Sequence, residues 1–124
     1  MILNIDLADK KIWQQDLDEE RATKFIGGTG LGTRILYDEV GPDVDPLGPD
    51  NIIIFAAGPL TGTKAPTSGR VEVTTKSALT GIIGSSNTGG FWGAALKWAG
   101  YDALSIRKAS QKPVYIWIDD GKVE

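Results

Sequence analysis

Residues 52–106 read IIIFAAGPLTGTKAPTSGRVEVTTKSALTGIIGSSNTGGFWGAALKWAGYDALSI, and their pattern decides the fold. The run Ile52 to Ala57 is continuously apolar and β-branched at its start, which predicts a strand buried on both faces. Gly58-Pro59 breaks it, and a loop follows from Leu60 to Gly69. Val71, Val73 and Thr75 then alternate with Arg70, Glu72 and Thr74, the period of a second strand. Ile82-Ile83 reads as a short strand stopped by Gly84. Ser85 to Gly90 reads as a loop leading into a helix over Phe91 to Ala99, which ends at Gly100. Tyr101 to Ile106 is a further strand.

Upstream, Leu3, Ile5 and Leu7 alternate with Asn4 and Asp6, which predicts a strand with one buried face. Ala8 to Lys11 is a turn, and Ile12 to Gln15 returns as the second arm of a hairpin. Asp16 stands three residues before Glu19, a capping-box spacing that starts a helix running to about Ile26. Gly27-Gly28 stops it. Leu31, Ile35, Leu36 and Val40 share the face of a second helix, which Gly41-Pro42 ends. Downstream, Val114 to Ile118 reads as a strand and Asp120-Gly121 as a hairpin turn. Only Lys122-Val123-Glu124 follow that turn, so the expectation is a chain cut inside its fold, the alternative being an end on a frayed edge strand. A half-built sheet of that kind would expose apolar surface and a strand edge, which favours self-association.

The chain has 124 residues, the length of one domain, with 41% hydrophobic and 23% charged residues. Its net charge of −3 gives no electrostatic footprint for nucleic acid. With no Cys and no His, it offers no disulfide, thiolate metal site, cysteine-ligated cluster or imidazole base. Acid–base work would fall to carboxylates, Lys or Tyr. No run approaches the ~18 apolar residues of a membrane span, and the N-terminus carries no signal-peptide pattern. The expected compartment is the cytoplasm, with no membrane partner. The 16 glycines exceed the roughly 9 that average usage gives, and they cluster, so they mark special backbone.

Four groups of residues are candidates for chemistry. Asn87-Thr88-Gly89-Gly90 precedes a predicted helix, and a helix N-terminus presents free N–H groups that bind phosphate. The alternative is an Asn or Thr N-cap on a glycine turn. Arg70 opens a strand after Thr67-Ser68-Gly69, and a guanidinium matches phosphate in a two-pronged way. The alternative is a solvent-facing arginine paired across the sheet. Gly27 to Gly32 looks like a dinucleotide fingerprint, but its spacing is not GxGxxG and it follows a helix, so a tight interhelical turn is the better reading. Asp38, Glu39, Asp43, Asp45 and Asp50 lack EF-hand spacing and read as a solvated acidic loop. The tryptophans read as core or interface residues, with Trp92 notable for standing beside the candidate phosphate loop.

The segments AAGPLTGTxAPTSGR at 56–70, TKSALTG at 75–81, SNTGGFWG at 86–93 and LKWAGYDA at 96–103 resemble the N-terminal domain of the aldehyde ferredoxin oxidoreductases. FIGGTGLGTR at 25–34 fits as well, so the resemblance covers essentially the whole chain. It implies an α+β, sheet-rich platform with approximate internal two-fold symmetry, on which a tungstopterin lies. By resemblance Arg70 contacts pterin. Asn87 and Gly89 line the phosphate end together with the flanking Thr88 and Gly90. The Asn87 backbone carbonyl would reach a magnesium ion bridging the phosphates of two pterins.

What the resemblance implies is thus the first portion of that domain, over residues 1–124. The family's 4Fe-4S cluster cysteines lie in later domains, and this chain has no Cys. The complete enzyme would oxidise aldehydes to carboxylic acids on a bis-molybdopterin carrying tungsten or molybdenum. Ferredoxin would accept the electrons, and no catalytic residue lies in this stretch. Partners would be the remaining domains or a second chain, and a homo-oligomer is open. Rival readings are a stand-alone module binding a pterin or another phosphate-bearing ligand, and a structural fragment without ligand.

Overall fold

A computed structural model describes residues 1–124. The strands are β1 (Ile2–Asp6), β2 (Lys11–Gln15), β3 (Ile52–Ala57), β4 (Val71–Lys76), β5 (Ile83–Thr88), β6 (Ala103–Arg107), β7 (Ile118–Asp119) and β8 (Lys122–Val123). The helices are α1 (Glu19–Phe25), α2 (Gly28–Glu39) and α3 (Trp92–Trp98). Six strands form one sheet in the order β2-β1-β6-β3-β4-β5, and β7-β8 is a separate ribbon. Only β1 and β6 run parallel; every other pairing in the large sheet is antiparallel. This is the α+β, sheet-rich architecture that the sequence predicts.

Helix α2 covers one face of the sheet. Its Leu31, Ile35 and Leu36 pack on Ile2, Ile52, Ile54, Ala56 and Ala103. Those strand residues sit two apart on β3 and side by side between strands, as one face of a pleat requires. The other face carries Leu3, Ile5 and Leu104 under Leu96 and Tyr101, with Ile116, Ile118 and Val123 from the C-terminal ribbon packed around them. That second layer is thin. An apolar groove of about 430 Å³ remains between α3 and the ribbon, walled by Phe55, Trp92, Leu104 and Trp117.

Several sequence expectations change here. Strand β1 is buried along its whole length rather than on one face, because β6 pairs on its far side and makes it interior. Asn4 and Asp6 are therefore buried polar residues. Arg107 Nη2 donates to Asn4 Oδ1 at 3.3 Å and to Glu39 Oε2 at 2.6 Å. Strand β3, expected to be buried on both faces, is fully covered on one and only partly on the other, where Ala57 is buried, Phe55 is half-buried and Ile53 remains 36% exposed. The first helix takes its cap from Asp18 and not Asp16, since Asp18 Oδ1 accepts from the Arg21 N–H at 2.7 Å. The strand expected over 114–118 shrinks to Ile118–Asp119, with Trp117 and Glu124 extending the ribbon through mutual backbone bonds of 2.8 and 3.0 Å. The Asp-Gly turn forms as expected, with φ of 41° and 85° at Asp120 and Gly121.

The largest revision concerns residues 83–88. They are a six-residue edge strand, not a short strand plus loop. Ser and Asn have poor strand propensity, but pairing with β4 from Val71↔Thr88 to Lys76↔Ile83 overrides it.

Two stability predictions follow from buried polar groups. Thr74 is fully buried, and its hydroxyl has no hydrogen-bond partner. Thr74→Val removes that orphan while keeping the side-chain shape. The gain expected in urea unfolding is about 1 kcal/mol, near the low end of the range because Gly32 lies tight against this side chain.

Asp6 is held by Lys108 at 2.8 Å. The hydrogen bond from Lys108, then that from the Asp9 N–H, draws its carboxyl below the ordinary range, and burial opposes them only in part. A carboxyl that is more acidic in the fold stabilises it above the unfolded pKa of about 3.9. That contribution is lost as pH falls from there through the folded value. Lys108 is raised mainly by Asp6 and then Asp9, so its share persists until pH climbs past about 10.4. Urea midpoints are expected to decline in acid below about pH 4, and Asp6→Asn to flatten that decline.

Candidate functional site

Arg70 and Asn87, predicted from separate segments, meet in the structure. Strand register explains why. Glu72 pairs with Asn87 and Val71 with Thr88, so Arg70, Glu72 and Asn87 fall on one face of the β4–β5 pair. The Arg70 Nη1 donates to the Asn87 side-chain Oδ1. Glu72 accepts from the Ser85 hydroxyl beside them. The backbone of Arg70 is pinned separately. The Thr61 hydroxyl donates to the Arg70 carbonyl at 3.1 Å and accepts from the Gly58 N–H at 3.1 Å.

These residues line an open groove of about 360 Å³ at the end of the sheet. Its other walls are Gly58 to Thr61, Thr67-Ser68, and Gly28-Thr29 from the start of α2. The glycine run at 27–32 is not the interhelical turn that the sequence reading preferred: only Ile26-Gly27 connect the two helices, and Gly28 to Gly32 form the first turn of α2, whose start reaches the groove. Gly27 makes this possible. A Cβ there would stand 2.7 Å from the Ala57 carbonyl oxygen and 3.1 Å from Pro59. The signal missed in the sequence was this close approach between segments some thirty residues apart.

Thr88, Gly89 and Gly90 do not line the groove. They lead from β5 towards α3, whose first residue is Trp92 and whose preceding residue, Phe91, makes no side-chain cap. Neither Asn87 nor Thr88 caps that helix. Helix α3 packs on the sheet face opposite Asn87: its Gly93 lies against Val71, which points away from Arg70 and Glu72. Trp92 packs against Phe55 in a tilted pair, with 5.2 Å between ring centroids, also on that face. The helix that starts near Arg70 and Asn87 is thus α2, and not the one after the SNTGG loop.

The electrostatics single out Arg70. The chain has four arginines. Arg21 and Arg34 pair with Asp38, and Arg107 pairs with Glu39. Arg70 alone has no carboxylate within ion-pair distance, and it is exposed. Its acceptor is a neutral amide, so its full positive charge faces the groove. The acidic stretch ends otherwise: Asp38 and Glu39 are consumed by those arginines, and Asp45 accepts from the Leu47 N–H in a turn. No group of three carboxylates gathers to hold a cation. No helix is long and apolar enough to cross a membrane.

Comparisons with known proteins point one way. A sequence profile described as "Aldehyde ferredoxin oxidoreductase, N-terminal domain" matches residues 2–124. A tungsten-containing aldehyde ferredoxin oxidoreductase of Pyrococcus furiosus is 51% identical over 98% of this chain and 20% of its own length. An aliphatic sulfonate oxidoreductase, WOR-like subunit, of the same organism is 39% identical over 99% of this chain and 20% of its length. Among solved structures, the active site complex BamBC of benzoyl coenzyme A reductase, bound to 1,5-dienoyl-CoA, matches with a TM-score of 0.96 at 41% identity. That match covers 99% of this chain and 19% of the other. The chain therefore spans about a fifth of the length of the relatives it matches. With the profile running from residue 2 to residue 124 and half the residues identical to a curated relative, the chain belongs to the aldehyde ferredoxin oxidoreductase N-terminal domain family.

Proposed function

We propose that residues 1–124 are the first portion of a cofactor platform that holds the phosphate-bearing end of a tungstopterin in a larger oxidoreductase. The observation that carries this reading is Arg70: an exposed guanidinium, fixed by a neutral partner, with no carboxylate in ion-pair distance and set at the rim of a groove that Glu72 also lines. A phosphate needs such a charge, and the fork of donors fits its oxygens. The residues present fit the group in this respect.

The bound cofactor, a bis-molybdopterin with tungsten or molybdenum, would supply two-electron redox chemistry. This chain's part is to bind and orient. Arg70 would hold a phosphate or pterin edge, and Thr61 keeps the Arg70 backbone in place. The Asn87 carbonyl would face a magnesium ion between the pterin phosphates. Thr88, Gly89 and Gly90 would approach the same ligand from beyond the groove as small, unobstructed backbone. No residue of the chain is assigned a proton transfer.

The whole protein, on this reading, is an oxidoreductase that converts aldehydes to carboxylic acids, with a 4Fe-4S cluster in its later domains and ferredoxin as acceptor in the cytoplasm. The close structural likeness to a complex that binds a dienoyl-CoA supports a second reading of the substrate. Both readings share the platform. A stand-alone pterin carrier and a ligand-free fragment are the rivals. Elemental mass spectrometry and pterin fluorescence after oxidation decide among them. The full-length protein should carry tungsten or molybdenum and about two pterins per chain, and its complete absence would overturn the proposal. Pterin on the 124-residue chain alone would favour the carrier.

A further inference from the structure

We propose that the Asn87 side chain is a positioning residue for Arg70: its amide fixes the guanidinium while leaving the charge free for an anion. The inference rests on the reading of the groove as a phosphate site, and it gives Asn87 a role distinct from that of its backbone carbonyl.

The contrast between the arginines carries it. Arg21, Arg34 and Arg107 each donate to a carboxylate, which fixes the side chain and neutralises it. Arg70 is fixed by an amide oxygen, which has no charge to give. Asn87 is a residue of β5 locked to β4 by a six-pair register, so its Cα is not free to drift. It sits diagonally across the ladder from Arg70, within reach of a long side chain. A carboxylate also stands on this face, in Glu72, one position along the strand from Val71. Its acceptor capacity is directed to the Ser85 hydroxyl, and it forms no ion pair with Arg70. The Ser85 hydroxyl holds Glu72 without neutralising it, so Glu72 makes no ion pair with Arg70 and the guanidinium is tethered by a neutral group, although the Glu72 charge stays on the groove wall. A tethered arginine has already lost the rotamer freedom that binding would otherwise remove.

Two substitutions separate tethering from charge. Asn87→Ala removes the tether and keeps the charge. Asn87→Asp keeps a tether and cancels the charge. The readout is the Arg70 Nε–Hε resonance of the 124-residue chain, whose order parameter reports guanidinium mobility. It should be high in the parent and in Asn87→Asp, and low in Asn87→Ala, with the backbone amide spectrum otherwise preserved. Titration with inorganic phosphate should then rank affinities as parent, Asn87→Ala, Asn87→Asp. The Ala loss should be about two- to tenfold, the factor carried by one hydrogen bond of ordinary net strength, and the Asp loss larger. An unchanged Arg70 order parameter in Asn87→Ala would overturn the positioning role. A lowered order parameter with no phosphate response in the parent would uphold the tether and overturn the phosphate reading instead. Equal phosphate losses in Ala and Asp, with a disturbed backbone spectrum in both, would reduce Asn87 to a structural strand residue and overturn the inference.

Discussion

Arg70→Ala is expected to weaken pterin binding to the full-length protein by about ten- to a hundredfold in apparent affinity, while leaving the thermal unfolding of the cofactor-free protein unchanged. The binding loss follows from removing charge-assisted hydrogen bonds to phosphate, worth roughly 1.5–3 kcal/mol. The unchanged stability follows from the same geometry. The Arg70 side chain is exposed and forms no ion pair, and its structural contact is one amide at the surface. Substitutions of that kind stay within about 0.5 kcal/mol. Arg70→Lys should fall between, because an ammonium keeps the charge and loses the fork. Fluorescence of the oxidised pterin, set beside calorimetry, measures both halves. Full pterin retention in Arg70→Ala would remove Arg70 from the site, and a collapse of stability would make it a structural residue.

Gly27→Ala should destabilise the fold by about 1–3 kcal/mol, through overpacking against backbone that cannot turn aside. The added Cβ would lie 2.7 Å from the Ala57 carbonyl oxygen and 3.1 Å from the Gly58 Cα. Two further effects bear on the sum. Alanine restricts the unfolded chain and stabilises by about 0.4–1 kcal/mol where the native backbone suits it. Alanine is also a poorer N-cap than glycine, and Gly27 is the N-cap of α2. The clash and the cap outweigh the entropy. Gly41→Ala is the control, since nothing lies within 4 Å of its added Cβ. Urea unfolding should separate the two variants clearly. Relief of the Gly27 clash requires α2 to move off the β3 end, which would also widen the groove at Gly28-Thr29. A Gly27→Ala variant as stable as its parent would mean that the helix start and the β3 loop are not packed as tightly as the structure shows.

Much of the fold is legible along the chain. The Leu31, Ile35, Leu36 and Val40 period marks the helix face that packs on the sheet, and the Ile52 to Ala57 run marks a central strand. Both signals are local and strong, because burial imposes one period on a helix and another on a strand. Residues 85–88 defeated the same logic. Their polar, small side chains lie on an exposed edge, so no apolar period is imposed on them. What makes them a strand is the backbone of β4 alongside.

The candidate site divides in the same way. Sequence by itself determined the α+β class, the family, the chemistry that the absence of Cys and His excludes, and Arg70 and Asn87 as residues worth watching. The class and the family came from the resemblance of the quoted motifs, the rest from composition, local period and residue type. Only the tertiary structure decided that Arg70 and Asn87 touch, that Asn87 faces α2 instead of capping α3, and that Gly28-Thr29 shares their groove. The physical reason is register. Strand pairing assigns each side chain to a face, a shift of one residue reverses that assignment, and register is set by contacts between segments far apart in the chain.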